Sequence, residues 1–320
     1  MRAVVSPYHL TTREPPAMVA LLLASGVTTL LPAPSGGRDA AQAEAALSPA
    51  YMTFMRSWRW SEALWRAGVI AGGQDDEGPG PDVAEAWRMI QEDPACAGAR
   101  ALLRRDLYDD ESEYLRALAI DVLRAGPDPG VSAPVALGLD RYAARRGMMV
   151  MRPDPASIVQ KTEAGLAGGP SLSVAVPVLL EADGETILRA REALSAELNR
   201  VREAIGRAVD RLEAGAPDAA ARTDLRAAAG AYQRAFDAAL PDLAASVPDD
   251  EPRLVAGLVS LTLSSFPADV ALRATAAATR RLGGGAGAGS ATEGEAQIAL
   301  RDPLAGARFG SIVVRVISRG

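Results

Sequence analysis

Leu194, Leu198, Val201, Ile205, Ala208 and Leu212 recur at a 4-3-4-3-4 spacing. This pattern constrains the chain more than any other. Side chains three and four apart share one helix face, and so narrow an apolar stripe must be covered by a second helix. Gly215 and Pro217 supply a turn, and Leu225, Ala229, Tyr232, Phe236 and Leu240 form an answering stripe. Two stripes joined by a short turn predict an antiparallel helical hairpin.

The opening of the chain has a different character. "RAVVS", residues 2–6, is valine-rich and reads as a buried strand. Pro15 and Pro16 suit the first turn of a helix, where a missing amide donor costs nothing, and Gly26 suits its end. A second strand follows near 27–32. If the two strands are parallel neighbours, their crossover should be right-handed. Residues 15–34 carry no charge over 20 positions, a length that could span a bilayer. Prolines at both ends and Gly26, Thr28 and Thr29 in the middle argue against a span. Arg13-Glu14 stands where a signal peptide needs a basic stretch.

Residues 38–70 read as helix, with Tyr51, Phe54, Met55, Trp58 and Trp65 on one stripe. A loop over 71–82 precedes a helix that starts near Val83 and holds Trp87. Two shorter helices complete a mostly helical region over 38–146, the last ending at Gly126-Pro127. Strands are expected near 147–152 and 172–181, and Pro177 marks the latter as an edge strand or the site of a bulge. Residues 252–282 read as two further helices broken at Phe266-Pro267, 283–299 as a flexible glycine-rich loop, and 311–318 as a closing strand that joins the first. The fold class is therefore mixed α/β or α+β, helix-rich, with a small discontinuous sheet and a helical hairpin. Three segments, 1–36, 147–185 and 300–320, should build the sheet-containing core. The helical region 38–146 and the segment 186–282, with the hairpin and the helices after it, pack around that core.

Composition then narrows the chemistry. The chain of 320 residues is 48% hydrophobic and 23% charged, enough for a real core. Its net charge of -6 and pI near 5.1 argue against nucleic acid as a partner, since binding to phosphates favours a basic surface. One cysteine, Cys96, and one histidine, His9, leave no disulfide, no cysteine zinc site and no expected cofactor. Cys96 reads as a buried thiol. Asp75, Asp76 and Glu77 lack the alternating spacing of a calcium loop, and the acids over 109–113 suit a helix start, so no metal is expected. Without disulfides, signal or span, the expected compartment is the cytoplasm. Lys161 is the single lysine in an arginine-rich set. A GC-rich bacterial coding sequence accounts for the skew; alternatively, a lysine is kept because it can lose its proton where arginine cannot.

Candidate chemistry centres on "HLTTRE", residues 9–14. In open α/β sheets, ligands sit beyond the C-terminal ends of the strands, where this loop is expected. The helix that follows should offer free amides and its positive end. His9, Glu14 and Lys161 are the catalytic candidates, and Thr12 and Arg13 the ligand-binding ones, for a small anionic ligand. The bland alternative is that Thr11 or Thr12 caps the helix and His9 bonds its own loop. Lys161 does not complete a nuclease motif, because Val159 stands where an acid or glutamine is needed. The glycine stretches 165–171 and 283–295 lack the P-loop and dinucleotide signatures, and no Gly-x-Ser-x-Gly is present. Trp60 lies off the apolar stripe beside Arg56 and Arg59, which suits an interface anchor.

Two functions follow. One is a cytoplasmic bacterial interaction or assembly component with a protein partner or a second copy. The other is a small-molecule-binding enzyme or sensor with its site at the end of the first strand. Whether the chain is an enzyme stays open at this point.

Overall fold

The computed structural model describes residues 1–31, 45–72, 79–92, 111–123, 129–153, 171–214, 219–245, 254–265 and 308–313. Strand β1 (Arg2–Val5) is followed by a single helical turn, α1 (Pro7–Thr11), and by α2 (Pro15–Leu23). Strand β2 (Gly26–Thr28) comes next, then α3 (Pro49–Ser57), a 3-10 turn (Arg59–Ser61), α4 (Glu62–Arg66) and β3 (Ile70–Ala71). Helices α5 (Gly80–Glu92), α6 (Glu111–Val122) and α7 (Pro129–Arg146) lead to β4 (Met149–Pro153). Strand β5 (Ser171–Glu181) and helices α8 (Gly184–Ala193), α9 (Ser195–Glu213) and α10 (Ala219–Ala245) follow, then β6 (Val255–Ser265) and β7 (Arg308–Val313).

The strands form one seven-stranded sheet in the order β3-β2-β1-β4-β7-β6-β5. From β3 to β7 every pairing is parallel, and β6 then runs antiparallel to both β7 and β5. The fold is thus mixed α/β and helix-rich, with its sheet gathered from distant parts of the chain. The uncharged run over 15–34 is no span. Its first part divides into α2 and β2, where Ala17 through Ala24 are buried. Among the described residues no helix is long and apolar enough to cross a membrane.

The helical hairpin is present as α9 and α10, which pack together. Leu194, Leu198, Val201, Ile205, Ala208 and Leu212 are all buried, as are Leu225, Ala229, Tyr232 and Phe236 opposite them. Helix α10 lies against β5 and α9 against β6. Among the described residues β5 is the edge of the sheet, and an edge strand tolerates Pro177. The Tyr232 hydroxyl donates to the Pro177 carbonyl at 3.1 Å in a buried setting, and burial pushes that phenol well above its ordinary pKa. Two arginines tie the hairpin region to α2. Arg191 donates to the carbonyls of Leu21 (2.6 Å), Ala24 (2.7 Å) and Ser25 (3.1 Å), and Arg202 Nε donates to that of Leu23 (2.6 Å). They satisfy the carbonyls that a helix C-terminus leaves unpaired. Burial lowers the Arg191 guanidinium to about 10.

Several expectations need correction. Residues 255–265, expected to be helical, form β6. Leu254, Leu258 and Leu261 mimic a helical stripe, but Val259, Leu261 and Leu263 are the buried set, and they alternate as in a strand. The terminal strand does not join β1. It lies between β4 and β6, because β1 is already flanked by β2 and β4. Its expected span 314–318 lies outside the described residues, as do the segment 266–282, the glycine-rich stretches, Cys96, Asp75 to Glu77 and Lys161. Strand β3, which pairs with β2 through Ile70 and Ala71, is too short to have a readable pattern.

One packing feature positions the site. Helix α2 lies against β1 and β4 and also against β5, the strand at the far edge. A nine-residue helix can touch strands so far apart in the ladder only if the sheet curves around it. That curvature brings the end of β5 back to the loop after β1.

Candidate functional site

The segment after β1 is not the open loop that its polar composition suggests. Pro7–Thr11 closes a helical turn, with the amides of His9 and Leu10 donating to the Ser6 carbonyl at 3.1 and 3.2 Å. The turn ends in a Schellman motif. The Arg13 amide donates to the Leu10 carbonyl at 3.2 Å, and the Glu14 amide donates to the His9 carbonyl at 2.9 Å. That motif requires a left-handed residue, usually glycine, and here it is Arg13, at φ 54. Arg13 is the one non-glycine residue with positive φ among those described. Thr11 and Thr12 do not cap α2. Their hydroxyls turn back to the carbonyls of Pro7 (2.9 Å) and Tyr8 (2.6 Å).

His9 Nδ1 lies 2.8 Å from Glu14 Oε2, so the two ends of the Schellman motif are joined through their side chains as well. Thr12 Oγ1 also approaches Glu14 Oε1, at 3.1 Å. The hydrogen bond from His9 holds the Glu14 carboxyl below its ordinary pKa, outweighing its partial burial, with His9's charge and Thr12 adding to the effect.

The helix after this loop offers no amides to a ligand, contrary to expectation. Its first two residues are Pro15 and Pro16, and the amides of Ala17 and Met18 donate to the Glu14 carbonyl at 2.9 and 3.1 Å. The start of α2 therefore gives an anion no backbone donor.

A cleft of about 520 Å³ opens beside the motif. Thr11, Thr12, Arg13 and Pro15 form one wall, Ser57 and Trp60 a second, and Leu180, Glu181 and Val255 the third. The third wall is the end of β5 and the start of β6, brought here by the curved sheet. The Arg13 guanidinium lies over the Trp60 ring, 4.7 Å from its centroid. Trp60 in turn meets the fully buried Trp58 edge-on at 5.6 Å, and Trp58 meets Trp65 at 6.4 Å. The indole under Arg13 is thus fixed by an aromatic cluster. The Trp60 Nε1 is buried and has no hydrogen-bond acceptor among the described residues.

The expected site residues divide into groups. Thr12 and Arg13 line the cleft. His9 and Glu14 pair with one another next to it and are not among its lining. Arg56 and Arg59 are exposed and also outside the lining, while Trp60, read from the sequence as an interface anchor, is half-buried beneath Arg13. Leu180, Glu181 and Val255 were not legible as site residues, because only the curvature of the sheet brings them here. Among the described residues no three His, Cys, Asp or Glu side chains are grouped to hold a metal.

No known family model, characterised protein or solved structure matches this chain.

Proposed function

We propose that this protein binds a small organic anion in the cleft at the end of β1, with Arg13 as the anion-binding group. The observation that supports this reading most is the conformation of Arg13. A left-handed arginine costs about 1 kcal/mol more than glycine at the same position, and such strain is retained where a side chain is needed. The Arg13 guanidinium lies over the Trp60 ring, and the planar N–H fork of an arginine matches the geometry of a carboxylate. The cleft volume suits a small molecule. His9 and Glu14 serve this reading as the clasp that closes the motif around Arg13.

A second reading, an assembly component, draws on Leu47, which is 81% exposed, and on exposed Met52, Ile120 and Leu123. These lie on or beside α3 and α6, which pack together. Native mass spectrometry followed by denaturation separates the two. Extra mass that is retained by the native protein, released on denaturation and lost in Arg13→Ala supports the binding reading. An oligomer without bound mass, unchanged by Arg13→Ala, overturns it in favour of assembly.

A further inference from the structure

We infer that Leu180 determines the size of the ligand in this cleft, and that the bound anion carries a hydrocarbon body seated on Leu180 and Val255. This deepens the proposed binding function and rests on it for the charged end of the ligand.

Successive residues of a regular strand point to opposite faces of the sheet. Leu180 and Glu181 are successive at the end of β5, yet both line the cleft. A register irregularity is the cause: Leu179 pairs with Ala256, while Glu181 pairs with Val255. Leu180 is the extra residue, and bulges of this kind re-aim side chains beside binding sites. Its side chain settles over Gly257 of β6. A Cβ at 257 would lie 2.5 Å from Leu180 Cδ1 and 3.2 Å from its Cγ, so any side chain there would push the isobutyl group away from the strand. The φ of Gly257 is not positive, so glycine stands there for space and not for backbone freedom. The chain thus uses a bulge and a glycine to seat one leucine in the cleft wall.

A leucine held in this way acts as a stop. Leu180 is half-buried, packed on the hydrophobic core on one side and facing the cleft on the other. Val255, which pairs with Glu181 across the ladder, is a large apolar side chain left exposed on the same wall. Apolar surface in a concave site favours an apolar ligand group, and each methylene that it buries is worth about fourfold in affinity. The gain continues until the hydrocarbon meets a side chain that has no room to yield. Leu180, backed by the core and by β6, is that side chain.

The test is calorimetric titration of the whole chain with the linear acids from acetate to octanoate, on wild type, Leu180→Ala and Gly257→Ala. In wild type the affinity should rise about fourfold for each added carbon up to one length and then stop rising. Leu180→Ala should move that limit to longer acids. Gly257→Ala, which displaces the Leu180 side chain into the cleft, should move it to shorter ones. The opposite directions separate size selection from a merely structural role, which would weaken every acid without moving the limit and would overturn the inference. Circular dichroism reports whether each variant is folded, and if Gly257→Ala is not, Leu180→Ala alone decides. If the acids bind, Arg13→Ala abolishes their binding and the limit is the same in Leu180→Ala as in wild type, the role of Leu180 is overturned while the anion site stands. Affinity that does not change with chain length, or rises without a limit through octanoate, also overturns the inference. If none of the acids binds wild type, the inference is overturned, and the native mass spectrum judges the anion site independently.

Discussion

Replacing Arg13 should separate binding from stability, and the structure sets the size of both effects. Arg13→Ala removes the cation–π contact with Trp60, which contributes about 0.5–1 kcal/mol at a partly exposed site. It keeps a side chain in the left-handed conformation that the Schellman motif imposes, so nothing is regained. Arg13→Gly loses the same contact but relieves the left-handed strain, a gain of about 1 kcal/mol after the extra freedom of glycine in the unfolded chain is counted. The alanine variant should therefore be about 0.5–1 kcal/mol less stable than wild type, and the glycine variant within about 0.5 kcal/mol of it. Both should lose the ligand. Equilibrium urea unfolding at matched m-values measures the difference, and the native mass spectrum measures the binding. If the alanine variant proves as stable as the glycine variant, position 13 is not left-handed in solution. The strain argument for its function then fails. A glycine variant that binds as well as wild type would refute Arg13 as the anion-binding group even if the stabilities come out as expected.

Other expectations follow from the same packing. Gly138 in α7 meets α5 so closely that a Cβ would lie 2.5 Å from Val83 Cα, whereas nothing lies within 4 Å of a Cβ at Gly206 in α9. Gly138→Ala should destabilise by about 1–3 kcal/mol and Gly206→Ala should stabilise by about 0.5–1 kcal/mol, and thermal unfolding of both variants would reveal the opposite signs. Tyr232→Phe leaves the buried Pro177 carbonyl without its donor and should cost about 1–2 kcal/mol in urea unfolding; a change below about 0.3 kcal/mol would mean that the edge of β5 is not sealed by this bond. Glu14 has a lowered pKa in the fold, so its contribution is present above 4.5 and is lost as pH falls below that value. The stability gap between wild type and Glu14→Gln should close as the pH falls into the acid range. It should stay below about 1 kcal/mol, because the carboxylate is 41% exposed and screened by water. A gap that widens in acid would contradict the His9–Glu14 contact.

The sequence alone determined the elements whose signals are local. The hairpin was legible because both of its helices present a complete stripe, from Leu194 to Leu212 and from Leu225 to Phe236, and each stripe needs the other to be covered. Strand β1, helix α2 and the edge position of β5 were legible for similar reasons: a valine run, a proline pair at a helix start, and Pro177. Strand β6 was written in the chain as alternation at Val259, Leu261 and Leu263, but a competing helical spacing through Leu254, Leu258 and Leu261 concealed it. The turn α1 was missed because its stop signal is Arg13 in a position where glycine is the usual mark. Tertiary structure decided the rest. The slot between β4 and β6 that β7 fills, the curvature that folds the sheet around α2, and the bulge that turns Leu180 and Glu181 to one wall all depend on contacts between residues far apart in the chain. Thr12 and Arg13 could be singled out from sequence because a polar loop after a strand is a local signal. Glu181 could not, because its place in the cleft lining depends on how the sheet curves.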